Sequence, residues 1–411
     1  MTAIKKIVSP LVYLYKLSTD DWPVLFDKIG VDAYAYEKLA AKNTIYFFYL
    51  KNIPAVAANI IKQEALSKGG EAVVSRETMV KPESLTDVLL TLNGRQLQVF
   101  CSDLADQPFG LKELAGQLLI IKENVMSPLK PVKIGKTSFD FNKKPFLMGI
   151  LNVTPDSFSD GGKFDTVGKA VTHAAEMLKN GADIIDIGGE STRPGSREIS
   201  AEEESARVLP VIKAILKKFP GTLISIDTWK AEVAEKALKA GAVMVNDISA
   251  GTFDAKMFQT IARYKVPVVL MHTPGKPRSM QKNIRYNDLL TDIYTFFQER
   301  IKVAVNQGVK KELIIIDPGI GFGKKLEHNL ELIKRINIFR GLGRPILLGP
   351  SRKRFIGDIT GRDEAGRMPG TAVAVALGVN NGANIVRVHD VKELKDVLLV
   401  TTAIMKGGSY A

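Results

Sequence analysis

Polar residues able to do chemistry recur in the second two-thirds of the chain, each at the end of an apolar run. Asn152 follows "FLMGIL" (146–151), Asp186 lies in "DIIDIG" (183–188), and Asp227 ends "LISID" (223–227). Asn246 and Asp247 end "VMVND" (243–247), His272 follows "VPVVLM" (266–271), and Asp317 ends "LIIID" (313–317). Ser351, Arg352 and Lys353 follow "PILLG" (345–349), and Arg387 and His389 lie at "NIVRV" (384–388). One such residue could simply cap the next helix, an alternative that stays open for Asp227 before "TWKAEVAEKAL". Capping explains the whole set poorly. Asp227, Asn246, Asp317 and Lys353 offer two carboxylates, an amide and an ammonium. That set complements a heterocycle with a 2-amino-4-oxo-pyrimidine edge, because carboxylates accept from adjacent N–H donors and an ammonium donates to a carbonyl. Arg387, His389 and Asn152 form a second group. Arginine and histidine suit a phosphate or diphosphate, and the Asn152 carbonyl oxygen suits Mg²⁺, a hard ion that keeps most of its waters beside phosphates.

These residues need elements to hold them. Between the apolar runs lie helix-period stretches such as "TVGKAVTHAAEMLKNG" and "AEEESARVLPVIKAILKKF". Alternation of strand and helix implies a parallel sheet. Its eight repeats, with continuous apolar strands, imply an α/β fold of the (β/α)₈ TIM-barrel type, whose site lies at the C-terminal strand ends. An open doubly wound sheet is the competing architecture. The barrel is expected over 146–411. Residues 126–145, with three prolines and many lysines, are expected to be a linker and lead-in hairpin. Residues 1–125 are expected to form a small α+β domain of unknown role. There "SKGGEAVVSR" and "SLTDVLLTLNGRQLQVF" suggest strands, and "AVAANIIKQEALSKGG" a helix stopped by its glycine pair. Lys62 and Glu64 fall on that helix's solvated face.

The long Gly/Ser/Thr-rich stretches after the first two strands, "NVTPDSFSDGGKF" and "GGESTRPGSREIS", exceed the usual βα loop of about 2–6 residues. Loops of that kind act as lids. "DPGIGFGK" (317–324) is glycine-rich without the P-loop pattern, and Phe322 between two glycines is expected to wall a flat aromatic ligand. His173 and His328 are expected on helix surfaces. A net charge of +13 without a long basic block or basic–aromatic interleaving argues for anionic substrates rather than nucleic acid. The single cysteine, Cys101, allows no internal disulfide and no cysteine metal cluster. No apolar run reaches the roughly 18–20 residues of a membrane span, and no signal peptide is evident, so a cytoplasmic location is expected.

Together "GILNVTPDSFSDGG", "DIGGESTRPG", "SIDT", "VNDI", "DPGIGFGK", "GPSRKRFIG" and "VRVHD" resemble the dihydropteroate synthase family over about 140–411. The resemblance implies condensation of 6-hydroxymethyl-7,8-dihydropterin diphosphate with 4-aminobenzoate, a Mg²⁺ cofactor and a homodimer. It implies that Asp317 contacts the 2-amino and N3 edge of the pterin. Asp227 and Asn246 would contact the rest of the ring, and Lys353 the carbonyl and N5 side. Asn152, Arg387 and His389 would hold diphosphate, with Asn152 also at the metal. Phe158, Asp160, Thr192 and Arg193 would close over the site. Two positions depart from the family pattern. "MHTPGKPRSM" lacks the Met that usually follows the histidine shortly, so His272 is read as structural or supporting. Arg354 stands where some relatives carry a small hydroxyl residue near the aminobenzoate.

Two alternatives stay open at this point. A methyltetrahydrofolate-binding methyltransferase of the same barrel superfamily shares pterin-contacting Asp and Asn positions but handles no diphosphate. A non-catalytic pterin-binding protein would shift the working part to the N-terminal domain.

Overall fold

The computed structural model describes residues 21–154, 163–191, 195–282 and 284–406. The chain divides into two compact units, Met1–Glu123 and Asn124–Ala411. In the first, α1 (Asp21–Ile29) and α2 (Ala33–Asn43) precede β1 (Ile45–Pro54), α3 (Ala55–Ser67) and β2 (Glu71–Val74). They are followed by β3 (Leu85–Asn93), α4 (Gly94–Leu104) and α5 (Leu111–Met126), whose end passes into the second unit. Strand β3 lies between β1 and β2 and runs antiparallel to both, a split β-α-β arrangement. Its period-two pattern buries Thr86, Val88, Leu90 and Leu92, as an antiparallel strand with one covered face requires. Of these, Val88, Leu90 and Leu92 share a core with Ile61, Leu97 and Phe100 of the covering helices. The unit is α+β, as expected, with two differences. Strand β1, "IYFFYLKNIP", was not anticipated. Nor does the strand at 85–93 continue through "GRQLQVF": Asn93 Oδ1 accepts from the Gln96 N–H at 2.9 Å and Gln96 Oε1 from the Asn93 N–H at 2.7 Å. This capping box starts α4. On α3, Glu64 pairs with Lys68 at 3.6 Å.

The second unit opens with a hairpin of β4 (Val132–Ile134) and β5 (Thr137–Phe139). Then come β6 (Phe146–Asn152), α6 (Lys163–Lys179), β7 (Ile184–Gly188), α7 (Ala201–Lys218), β8 (Ile224–Asp227), α8 (Ala231–Lys239), β9 (Met244–Asp247) and α9 (Met257–Tyr264). The chain continues through β10 (Val268–Met271), α10 (Leu289–Asn306), β11 (Ile314–Asp317), α11 (Leu326–Lys334) and β12 (Leu347–Leu348). It ends with α12 (Arg354–Thr360), α13 (Met368–Asn380), β13 (Ile385–Val388) and α14 (Val391–Met405). The eight strands β6 to β13 form one parallel sheet. A parallel bridge between Ile316 and Ile346 joins β11 to β12 and closes the ring. This is the (β/α)₈ barrel, and the open doubly wound alternative falls.

Alternation along each strand sorts side chains into two cores. Ile185, Ile187, Ile226, Val245, Leu270, Ile316 and Val386 face outward and pack under the helices. Met148, Ile184, Met244, Val269, Ile315, Leu347 and Ile385 face inward and fill the barrel floor. The hairpin completes this floor: Ile134, Phe139 and Phe141 join the same cluster, and the Phe139 ring lies 4.3 Å from that of Phe146. The 126–145 stretch therefore contains the expected hairpin, with the added role of plugging the N-terminal mouth. No helix among the described residues is long and apolar enough to cross a membrane.

Phe139 is 1% exposed, so Phe139→Ala should cost about 3–5 kcal/mol of stability through lost burial and a cavity. Urea denaturation measures this. A loss under about 1 kcal/mol would mean that the hairpin is not part of the barrel core.

Candidate active site

One step up the strands from the apolar floor, the same inward parity places Ile150, Asp186, Ser225, Asn246, Met271, Asp317 and Arg387 (register from the sheet pairing). Arg387 on β13 reaches across the barrel. Its Nε donates to Asp186 Oδ2 and its Nη2 to Asp227 Oδ2, both at 2.6 Å. Asn246 Nδ2 donates to the same Asp186 oxygen at 2.9 Å. Burial works against the Arg387 charge, but the two carboxylates push its pKa above the usual range. Burial likewise raises the Asp227 pKa, and Arg387 opposes that rise. Asp227 does not cap α8. The Ala231 N–H at that helix start donates instead to Asp254 Oδ2 at 2.8 Å, which disposes of the capping alternative.

Above this network opens a cavity of about 830 Å³. Asn152, Asp227, Phe322, Lys353, Arg354, Arg387 and His389 all line it. Asn246 and Asp317 are buried at the same strand ends and are not among the residues that line it. Asp247, next to Asn246 but of opposite parity, faces away and shapes a turn, accepting from Ser249 N at 2.8 Å and Gly251 N at 2.6 Å. Gly188 leaves an open notch at the second strand end. A methyl group there would lie 3.6 Å from Asp227 Oδ2 and 3.7 Å from Asn152 Oδ1, so both oxygens border the notch.

The "DPGIGFGK" loop follows β11. Asp317 Oδ1 accepts from the Gly319 N–H at 2.7 Å. Burial raises the Asp317 pKa to about 6, against the pull of that N–H and of Lys324, Lys353 and Arg387. Gly319 has φ +72°, and a Cβ there would sit 2.1 Å from the His272 carbonyl oxygen, so only glycine fits. Phe322 borders the cavity and packs with Met271 and Met280. Lys353 Nζ lies 4.2 Å from its ring centroid, a cation–π contact. His272 is buried and bonded to Lys324, which matches its reading as a supporting residue.

Strands β12 and β13 end in loops that are laced together. The Ser351 hydroxyl and His389 Nδ1 lie 2.9 Å apart, and Arg352 Nε donates to Asp390 Oδ2 at 3.0 Å. Arg352 adopts φ +55°, unusual for a non-glycine residue. These pairings occupy Ser351 and Arg352 and leave Lys353 as the side chain of the trio facing Phe322. Burial, then Arg387, Arg352 and Lys353, drive the His389 pKa down to about 3. The imidazole is therefore neutral and offers hydrogen bonds rather than charge. Arg354 is mostly exposed at the rim, 3.4 Å from Asp358.

Phe158, Asp160, Thr192 and Arg193 lie outside the described residues. The root of the second loop is described. Lys230 bridges Glu190 at 2.5 Å and Glu204 at 2.6 Å, and Glu190 Oε1 accepts from the Ile199 N–H at 3.2 Å. Among the described residues no group of three His, Cys, Asp or Glu side chains could hold a metal ion. His173 and His328, both expected on helix surfaces, are half-buried, and His328 packs its ring 5.1 Å from that of Tyr286.

Three site residues went unassigned at the level of sequence. Asp186 was noted in its strand without a role, and its inward parity with Ile184 was the available signal. Ser225, two residues before Asp227, follows the same rule. Lys324 closes the glycine loop and was hidden by a residue type that is usually solvated.

Fold and cavity together define a (β/α)₈ enzyme with carboxylates and cations converging at the C-terminal strand ends. The model of the pterin binding enzymes matches residues 148–389. The dihydropteroate synthase of Bacillus subtilis is 49% identical over 275 residues, 67% of this chain and 94% of that protein. Among solved structures, a Xanthomonas albilineans dihydropteroate synthase with 4-aminobenzoic acid aligns with TM-score 0.63 and 41% identity, covering 67% of this chain and 98% of the other. The same enzyme in complex with 7,8-dihydropteroate aligns with TM-score 0.60 and 39% identity, covering 67% and 98%. The chain belongs to the pterin-binding enzymes and, within them, to the dihydropteroate synthases.

Asp186→Ala removes one partner of a buried ion pair and should destabilise the protein by about 3–5 kcal/mol. Thermal and urea unfolding measure the loss. A change below about 1 kcal/mol would mean that Asp227 alone compensates Arg387.

Proposed function

We infer that the chain condenses 6-hydroxymethyl-7,8-dihydropterin diphosphate with 4-aminobenzoate, giving 7,8-dihydropteroate and diphosphate. The observation that carries the mechanism is the convergence of Asp227, Lys353 and Arg387 on one cavity, with Asp317 and Asn246 buried at the ends of neighbouring barrel strands. The pterin enters edge first. Asp317 accepts from its 2-amino and N3 side. Asp227 and Asn246 meet the rest of the ring, and Lys353 donates to the carbonyl and N5 side. Phe322, backed by Met271 and Met280, forms one wall.

As the C–O bond to diphosphate breaks, positive charge grows on the pterin methylene. Asp227 and Asp317, already fixed in a water-poor barrel, stabilise it without reorganising. The neutral arylamine nitrogen forms the new C–N bond and loses one proton, which leaves with diphosphate or to solvent. No strong base is needed. Arg387 bonds Asp186 and Asp227 through Nε and Nη2; its other N–H donors are assigned to the departing anion, while neutral His389 supplies a hydrogen bond. Asn152 Oδ1, beside the Gly188 notch, is the candidate protein ligand for Mg²⁺. A single amide oxygen fits an ion that arrives on the diphosphate and keeps its waters. When bound, the ion would offset charge on the leaving group. Phe158, Asp160, Thr192 and Arg193 are assigned to closure over the substrates, and Arg354 to the aminobenzoate side of the rim. We take the enzyme to be cytoplasmic and to act as a homodimer on small-molecule substrates, without nucleic acid or membrane partners.

The decisive experiment is diphosphate release. It should require both substrates and Mg²⁺, which neither a methyltransferase nor a binding protein would show; release without the arylamine would refute the condensation. Lys353→Ala should lower kcat/KM by orders of magnitude, since a buried polar ligand group loses its partner. Arg387→Ala should weaken the diphosphate substrate far more than a pterin lacking phosphate, and equal losses would remove its anion role. Binding of the pterin edge needs Asp317 ionised, so protonation competes with it. Affinity should therefore fall as pH drops through about 6, and Asp317→Asn should abolish that slope. A flat profile in the wild-type enzyme would exclude Asp317 from the contact.

A further inference from the structure

Lys324 is a buried cation to which the condensation assigns no task. It borders the cavity and is 5% exposed. Its Nζ lies 3.1 Å from His272 Nδ1, 3.3 Å from the His272 carbonyl oxygen and 3.0 Å from the Phe322 carbonyl oxygen. Three acceptors match the three donors of an ammonium, whereas a neutral amine donates only two hydrogens. His272 can accept because burial and Lys324 hold its pKa well below the usual histidine value. Its ring is held edge-on to Phe296, with centroids 4.8 Å apart.

The same contacts connect the ends of two strands. The His272 N–H donates to the Asp317 carbonyl at 3.0 Å. The His272 carbonyl oxygen that Lys324 grips is the atom against which Gly319 packs, and the Gly319 N–H holds the Asp317 carboxylate at 2.7 Å. A cation fixed at this point does two things. It sets the carbonyl of Phe322, and with it the ring beside the cavity. It also places positive charge near Asp317.

We propose that Lys324 is a positioning residue of the condensation, a three-point clamp between His272 and Phe322 that sets the Phe322 wall and keeps Asp317 an anion. This rests on the reading that Asp317 grips the pterin edge. The charged and titratable groups facing the pair are known. Lys324, Lys353 and Arg387 act on Asp317; Asp317, Lys353, His272 and His328 surround Lys324. Burial draws the Lys324 pKa down to about 7, and Asp317 pulls the other way. The two charges therefore support each other, and removing either should shift the other.

Two variants of the full chain test the two parts. Lys324→Met keeps length and removes charge. It should raise the Kd of a pterin lacking diphosphate by roughly ten- to a hundredfold and move the pH at which that affinity is half lost upward. In an Asp317→Asn background the upward shift should vanish. Lys324→Arg keeps the charge, but its planar fork cannot reproduce the three contacts. It should leave the pH midpoint in place while raising KM for both substrates. An unmoved midpoint in Lys324→Met, with only stability reduced, would overturn the electrostatic part. Wild-type KM values in Lys324→Arg would overturn the clamp, and they would do so even if Lys324→Met failed to fold. If instead Asp317→Asn alone left pterin affinity and its pH dependence unchanged, the assignment of Asp317 would fail rather than the clamp.

Discussion

The site depends on a single guanidinium shared by two buried carboxylates. Arg387 joins β13 to β7 and β8 across the barrel interior through Asp186 and Asp227. Leaving any one of the three charges unpaired at that depth would be costly, so each fixes the position of the others. This constraint decides what the cavity can offer. Arg387 stays charged. Asp227 is held in one orientation at the floor of the cavity, and Asn246 is drawn into the same set through Asp186. Such a preorganised polar layer can stabilise developing charge without moving, which is the main electrostatic means by which enzymes accelerate reactions.

Around this layer, loops from neighbouring strands are tied in pairs. Ser351 and Arg352 bond to His389 and Asp390, which lock the seventh and eighth strand ends together. Lys324 ties the fifth to the sixth through His272. Lys230 holds the root of the second loop between two glutamates. The second loop thus springs from an anchored root, the arrangement a barrel needs if its loops carry chemistry while its strands carry stability. The apolar floor, plugged by the β4–β5 hairpin, supplies that stability from the opposite end.

The N-terminal unit has a core of its own, built on β3 and the helices α3, α4 and α5. The match to the pterin binding enzymes covers residues 148–389, all of them in the barrel unit.

Much was legible before any coordinates. Eight apolar runs spaced by amphipathic stretches dictate a barrel, because parallel strands need helical crossovers and must bury both faces. Polar residues at the ends of those runs dictate the mouth at which chemistry occurs. Asp227, Asn246, Asp317, Lys353, Arg387 and Asn152 could be chosen from residue type and position alone. Tertiary structure decided three other matters. Parity within four- and five-residue strands sends Asn246 inward and Asp247 into a turn, a distinction that requires knowing which neighbour lies on each side. Pairing across the barrel gives Asp186 its partner 201 positions away, a separation no local pattern encodes. Burial turned His389 neutral and made Lys324 a clamp, because a side chain's charge depends on the dielectric around it, and that environment exists only once the ring has closed.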